Sequence, residues 1–187
     1  MSKKLKKYIF SCLALLLVFV FFKSFKNKSL EPDIVLTTAK QAADLGLKHT
    51  QEWDDASIVS LENTLQVNKN GLGDSWLVFV ISESENKGII VKIKNGQASL
   101  LVAEFNLNKQ YLLLDNEYID SDEALKLALE AGLTQNKNYS MFLGRYKDLE
   151  KYGQTVWNIN TVLHINNKTK TPGIILDPKT GQKILKY

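Results

Sequence analysis

The chain has 187 residues, 44% hydrophobic and 24% charged, a globular balance that excludes wholesale disorder. Its formal charge of +4 misleads, because residues 1–28 hold seven lysines and no acid, which leaves 17 basic against 20 acidic residues, a net of −3, over 29–187. That mildly acidic remainder excludes a nucleic-acid partner, which needs a basic patch on the folded part; the single cysteine, Cys12, excludes an intrachain disulfide and a cysteine metal cluster.

Tyr8 to Phe22 runs without charge, proline or glycine, with Lys3, Lys4, Lys6 and Lys7 before it and Lys23 after it. As a helix this run reaches roughly 22 Å, short of a hydrocarbon core of about 30 Å. Extending it to Phe25, with Lys23 reaching to the headgroups, closes most of the gap. Residues 8–25 are therefore expected to cross the membrane once, within a signal anchor over 1–28. No small-residue cleavage site follows at Phe21–Phe25, so the anchor is expected to stay on the protein. Four lysines precede the run and three follow it, which places the N-terminus in the cytoplasm and the remainder in the periplasm or outside the cell. A lipoprotein anchor fails on order, since Cys12 precedes most of the apolar run.

Residues 29–37 read as a tether in which Pro32 discourages helix. Over 38–105 a first unit follows. Thr38 and Gln41 make a capping-box pattern, and Ala39, Ala42, Ala43 and Leu47 form a small-residue stripe fit to lie close on a sheet. Gly71-Leu-Gly73 reads as a hairpin turn. A tryptophan strand starts at Trp76, a strand led by Gly88 follows, and Ala98–Phe105 closes the unit. Residues 106–117 link it to the rest, with Tyr111-Leu-Leu-Leu114 as a further short-strand candidate.

A second unit, 118–187, repeats the plan. Asp120 caps a helix, Glu123 answers it three residues later, Ala124, Leu125, Ala128 and Leu129 give the apolar face, and Gly132 stops it. The caps Thr38 and Asp120 are 82 apart, Trp76 and Trp157 are 81 apart, and Gly88 and Gly173 are 85 apart. In Thr155–Ile165, Trp157, Ile159, Thr161, Leu163 and Ile165 alternate with Asn158, Asn160 and His164, the pattern of a strand with one wet face. Gly173-Ile-Ile-Leu-Asp177, Pro178 and Gly181 then give strand, tight turn and last strand. The fold class expected is α+β: a transmembrane helix, then two tandem units of one helix packed on an antiparallel sheet.

The second unit resembles the PepSY domain, the small cystatin-like module of peptidase propeptides and bacterial envelope proteins. The likeness rests on the alanine-rich helix 122–132, the aromatic strand at Trp157, and Ile174-Ile-Leu-Asp177 followed by Thr180-Gly181-Gln-Lys-Ile184. In the first unit it is degenerate: Lys92 stands where Asp177 stands, and the proline is missing. The resemblance implies an extracytoplasmic binding or inhibitory role and brings no catalytic residues. Gly173, Asp177 and Gly181 are its signature turn.

Residue chemistry agrees with a non-enzymatic reading. His49, with Glu52, Asp54 and Asp55, can be drawn as a metal site, yet a histidine at a helix C-terminus gains from the macrodipole and such acids suit a solvated turn. No catalytic, cofactor or metal residue is assigned. Asp177 is either a ligand residue or an acceptor for the N–H groups of its own turn. Leu77, Phe79 and Ile81 fall where the second unit has Asn158, Asn160 and Val162. Three apolar side chains on one strand face need cover, from the second unit, from the linker through Leu112 and Leu114, or from a protein partner. The function expected is a membrane-anchored extracytoplasmic binding protein that regulates or inhibits a peptidase or another envelope protein; the alternative is a structural accessory subunit of a membrane complex.

Overall fold

The computed structural model describes residues 34–63, 67–107, 111–145, 155–161, 163–165 and 168–187, with backbone alone at 163–165 and 168–170. The expected membrane segment, 8–25, lies outside the described residues, as does Val162. Among the described residues no helix is long and apolar enough to cross a membrane. Residues 35–187 form one compact unit.

Helix α1 spans Ala39–Leu47 and α2 spans Ser121–Glu130. The strands are β1 (Ser57–Asn63), β2 (Val67–Asn68), β3 (Ser75–Ser82), β4 (Lys87–Lys94), β5 (Gln97–Asn106), β6 (Asn138–Arg145), β7 (Thr155–Thr161), β8 (Leu163–Ile165), β9 (Lys168–Lys170), β10 (Gly173–Leu176) and β11 (Lys183–Lys186). Nine of them make a single antiparallel sheet in the order β11-β10-β7-β6-β1-β3-β4-β5, with β2 paired to β6. The β8–β9 hairpin stands apart as a two-stranded sheet.

This corrects the expected fold class. There are not two docked units, each with a helix on its own sheet, but one nine-stranded sheet carrying two short helices of nine and ten residues. The reason lies at the middle of the sheet. β1 and β6, the first strand of each half, pair antiparallel at Leu61↔Leu143 and Glu62↔Phe142. Left apart, each half would carry an open edge there; joining them removes two edges at once. The last strands, β5 and β11, become the outer edges.

One core serves both halves. Ala39, Ala42, Ala43 and Trp76 belong to the same buried cluster as Ala124, Leu125, Ala128 and Trp157. The small-residue stripe on α1 allows close approach, for a Cβ at Gly46 would sit 2.7 Å from Val78 Cγ1. Trp76 and Trp157 are fully buried. Trp76 Nε1 donates to Thr37 O at 3.1 Å and Trp157 Nε1 to Ile119 O at 3.0 Å, so each indole holds the carbonyl of the segment that leads into its helix.

The helix starts are linked. Thr38 and Gln41 form the reciprocal capping box. Asp120 departs from the expected box with Glu123: its Oδ1 accepts from Ser121 N at 2.7 Å and from Lys40 N, on the other helix, at 2.9 Å. Ser121 Oγ accepts from Ala39 N at 3.0 Å and donates to Gly71 O at 2.8 Å. One carboxylate therefore serves two helix N-termini. Since a lost cap costs about 0.5–2 kcal/mol, Asp120→Ala is expected to cost about 2 kcal/mol, at the top of the range for one cap. Urea unfolding checks this, and a loss below about 0.5 kcal/mol would mean the shared cap contributes nothing.

The outer face of the sheet is drier than the alternation implied. Asn158, expected on a wet face, is buried, as are Val156 and Ile175, which pack with Ile184 into a second small cluster. The linker does not add the expected strand at 111–114; instead Leu114 N donates to Ile58 O at 2.7 Å.

Candidate functional site

The signature residues Gly173, Asp177 and Gly181 are drawn into the architecture of β10, its turn and β11. Gly173 exchanges backbone bonds with Tyr187, 3.1 Å each way. Its missing side chain leaves room for the tyrosine ring, because a Cβ there would meet Tyr187 Cζ at 2.5 Å and Asn160 Oδ1 at 2.2 Å. The ring's hydroxyl is hydrogen-bonded to the side chains of Asn158, at 2.8 Å, and Asn160. Gly88 plays the same part in the first half, beneath Phe105, whose Cζ would lie 2.8 Å from a Cβ. Sequence reading found the glycine pair but not its cause, which lies in Phe105 of β5 and in Tyr187, the residue after β11.

Asp177 Oδ1 accepts from Lys179 N (3.0 Å), Thr180 N (2.8 Å) and Thr180 Oγ1 (2.9 Å). Burial raises this carboxyl, but the bonds from Thr180 and Lys179 outweigh it and hold Asp177 below the usual carboxylate range. Gly181, at φ +68°, closes the turn with its N–H on Asp177 O at 2.9 Å. The turn is clamped to the linker. Ile119 N donates to Pro178 O at 2.7 Å, and Lys179 Nζ reaches Asp115 at 2.5 Å and Glu117 at 3.3 Å. The Lys179 ammonium beside Asp115 holds that carboxyl below its ordinary value. Between turn and linker lies an open cleft of about 360 Å³, with Leu112, Leu113, Tyr118 and Pro178 among its walls.

Leu77, Phe79 and Ile81 do not form an open surface. Ile81 is buried, and Leu77 and Phe79 are half-buried. The Phe79 ring meets Phe105 at 5.8 Å and Tyr111 edge-on at 5.1 Å. Phe79 is thus covered by the closing strand and by the linker, though through Tyr111: Leu112 stays exposed and Leu114 joins the main core.

The exposed apolar residues lie elsewhere, on the sheet edge. β5 is the terminal strand of its half, ten residues long, and no described strand pairs with its outer side. Leu100 and Leu101 are each 53% exposed and Val102 39%. Residues 97–103 carry no charge. The opposite edge, β11, has four residues and begins and ends in lysine. Short, lysine-bearing strands are how sheets blunt their edges; long apolar ones are not. The uncharged run 97–103 was the available signal in the sequence, but nothing there shows that the strand is terminal.

The Asp55 carboxylate accepts from Ser82 Oγ and from Ser84 N, which lower it to about 2, so one acid near His49 is spent on the β3–β4 turn. Among the described residues no three His, Cys, Asp or Glu side chains are placed to hold a metal ion. The His164 side chain lies outside the description. Compared with known proteins, the chain matches no family model, no curated protein and no solved structure.

Proposed function

We propose that the chain is a non-enzymatic binding protein, held at the cell membrane by residues 8–25, that accepts an extended segment of an extracytoplasmic protein as an added strand on β5. The observation that carries this reading is the contrast between the two sheet edges. In strand addition the backbone ladder supplies affinity and alternate side chains supply specificity. β5 offers both, with a free ladder side among the described residues and half-exposed Leu100, Leu101 and Val102 along it. The register shifts twice between β4 and β5, near Leu101 and near Ala103. Such bulges bend an edge and restrict which segments fit. The PepSY resemblance and the lysine-flanked apolar run stand with this reading as sequence arguments, and a peptidase or another envelope protein is the partner they point to.

The test uses the full-length protein in cells, with a photo-crosslinking residue in place of Ala103 or, as control, of Leu185. Adducts to one protein from position 103 alone, abolished by Leu101→Lys, are expected. Equal labelling from both edges, or labelling untouched by Leu101→Lys, would sink strand addition at β5. Leu101 is exposed, so the substitution is expected to leave the melting temperature within a degree or two.

A further inference from the structure

A second surface, built from other elements than β5, has the chemistry of a docking cleft. Its floor is apolar: Leu112 and Leu113 are 40% and 36% exposed and face the space beside Pro178. The walls are held from both sides, by Leu114 N on Ile58 O and by Pro178 O on Ile119 N, at 2.7 Å each. The cleft is thus preformed, and its volume of about 360 Å³ suits one or two aliphatic side chains.

Its rim sets the sign of the occupant. Asp115 and Asp177 line the cleft with Lys179, and Glu117, which shares Lys179 with Asp115, adds a third negative charge beside it against the one positive charge. All three turn bonds to Asp177 end on Oδ1, so among the described residues Oδ2 is available to an outside donor. The net of −3 over 29–187 adds a long-range pull on cations. A carboxylate, phosphate or nucleic-acid ligand meets repulsion here.

We propose that this cleft docks a basic–apolar peptide segment of a partner protein, with an aliphatic side chain between the Leu112–Leu113 pair and Pro178 and a lysine or arginine against Asp115, Glu117 and Asp177. The site is independent of strand addition, and either reading can fail alone.

The experiment uses the full chain in nanodiscs of zwitterionic lipid and two labelled synthetic peptides, acetyl-Lys-Leu-Leu-Lys-amide and acetyl-Glu-Leu-Leu-Glu-amide, read by fluorescence anisotropy against empty nanodiscs. The basic peptide is expected to bind saturably and more weakly as salt rises, and the acidic one not to bind. Leu113→Lys, which puts a like charge in the cleft, is expected to weaken the basic peptide about tenfold or more. Glu117→Lys, on a side chain 79% exposed, is expected to weaken it severalfold, with the melting temperature read alongside because Glu117 also pairs with Lys179. Leu101→Lys on β5 should change nothing. Equal binding of both peptides, no binding of either, or indifference to Glu117→Lys would each overturn the proposal. Should Leu113→Lys fail to fold, Glu117→Lys and the peptide pair decide the matter.

Discussion

Replacing Trp157 with alanine is expected to cost about 3–5 kcal/mol, and Trp76→Ala the same, the range for truncating a buried large aromatic. Both side chains are wholly inside the one core. Removal of Trp157 also takes the indole donor from Ile119 O, a further cost, whereas Thr37 O keeps its bond from Gly73 N when Trp76 is removed. Domains of this size are stable by about 5–15 kcal/mol, so either variant spends a large share of the total. Because the sheet and core are continuous, both substitutions should shift a single unfolding transition. Two separable units would instead show two transitions, with each tryptophan acting on one of them. Urea unfolding followed by circular dichroism distinguishes these outcomes, and a loss below about 1 kcal/mol at either position would contradict the burial described.

Gly173→Ala is the second large effect expected, at about 2–3 kcal/mol, within the usual cost of overpacking. The added Cβ would lie 2.2 Å from Asn160 Oδ1 and 2.5 Å from Tyr187 Cζ, and relieving both contacts means breaking the hydrogen bond that joins these side chains. The tyrosine is pinned by its hydroxyl to Asn158 and Asn160 and by its backbone to Gly173 itself. Gly88→Ala should cost less. There the approach is less close, 2.8 Å to Phe105 Cζ and 3.2 Å to Leu107 Cδ2. Adding Tyr187→Ala to Gly173→Ala should recover part of the loss, because one of the two clashes disappears and the residues are in contact. Equal costs at the two glycines, or no recovery in the double variant, would show that the ring and the glycine are not coupled. Thermal melts of these three variants and of Tyr187→Ala alone suffice.

The helices, their starts and the tryptophan strands could be read from the sequence because each depends on residues near one another in the chain. Thr38 and Gln41 make a cap within one turn, and the alanine stripe of α1 recurs at the helical period. Offsets of 81 to 85 between Thr38, Trp76, Gly88 and their counterparts revealed a repeat, since like environments select like residues. The Asp177 turn was legible for the same local reason.

What the repeat builds was decided only in three dimensions. Whether two halves dock face to face or join edge to edge turns on backbone hydrogen bonds between β1 and β6, and backbone donors and acceptors are the same whatever the side chain. No residue type announces that pairing. The other departures from the sequence reading were tertiary as well: Asp120 capped a helix 80 residues away instead of answering Glu123, Phe79 was covered by Tyr111 from the linker, and β5 was left as an outer edge. The apolar run of β5 was visible in the sequence, but only the strand order turned it from a buried strand into an exposed one.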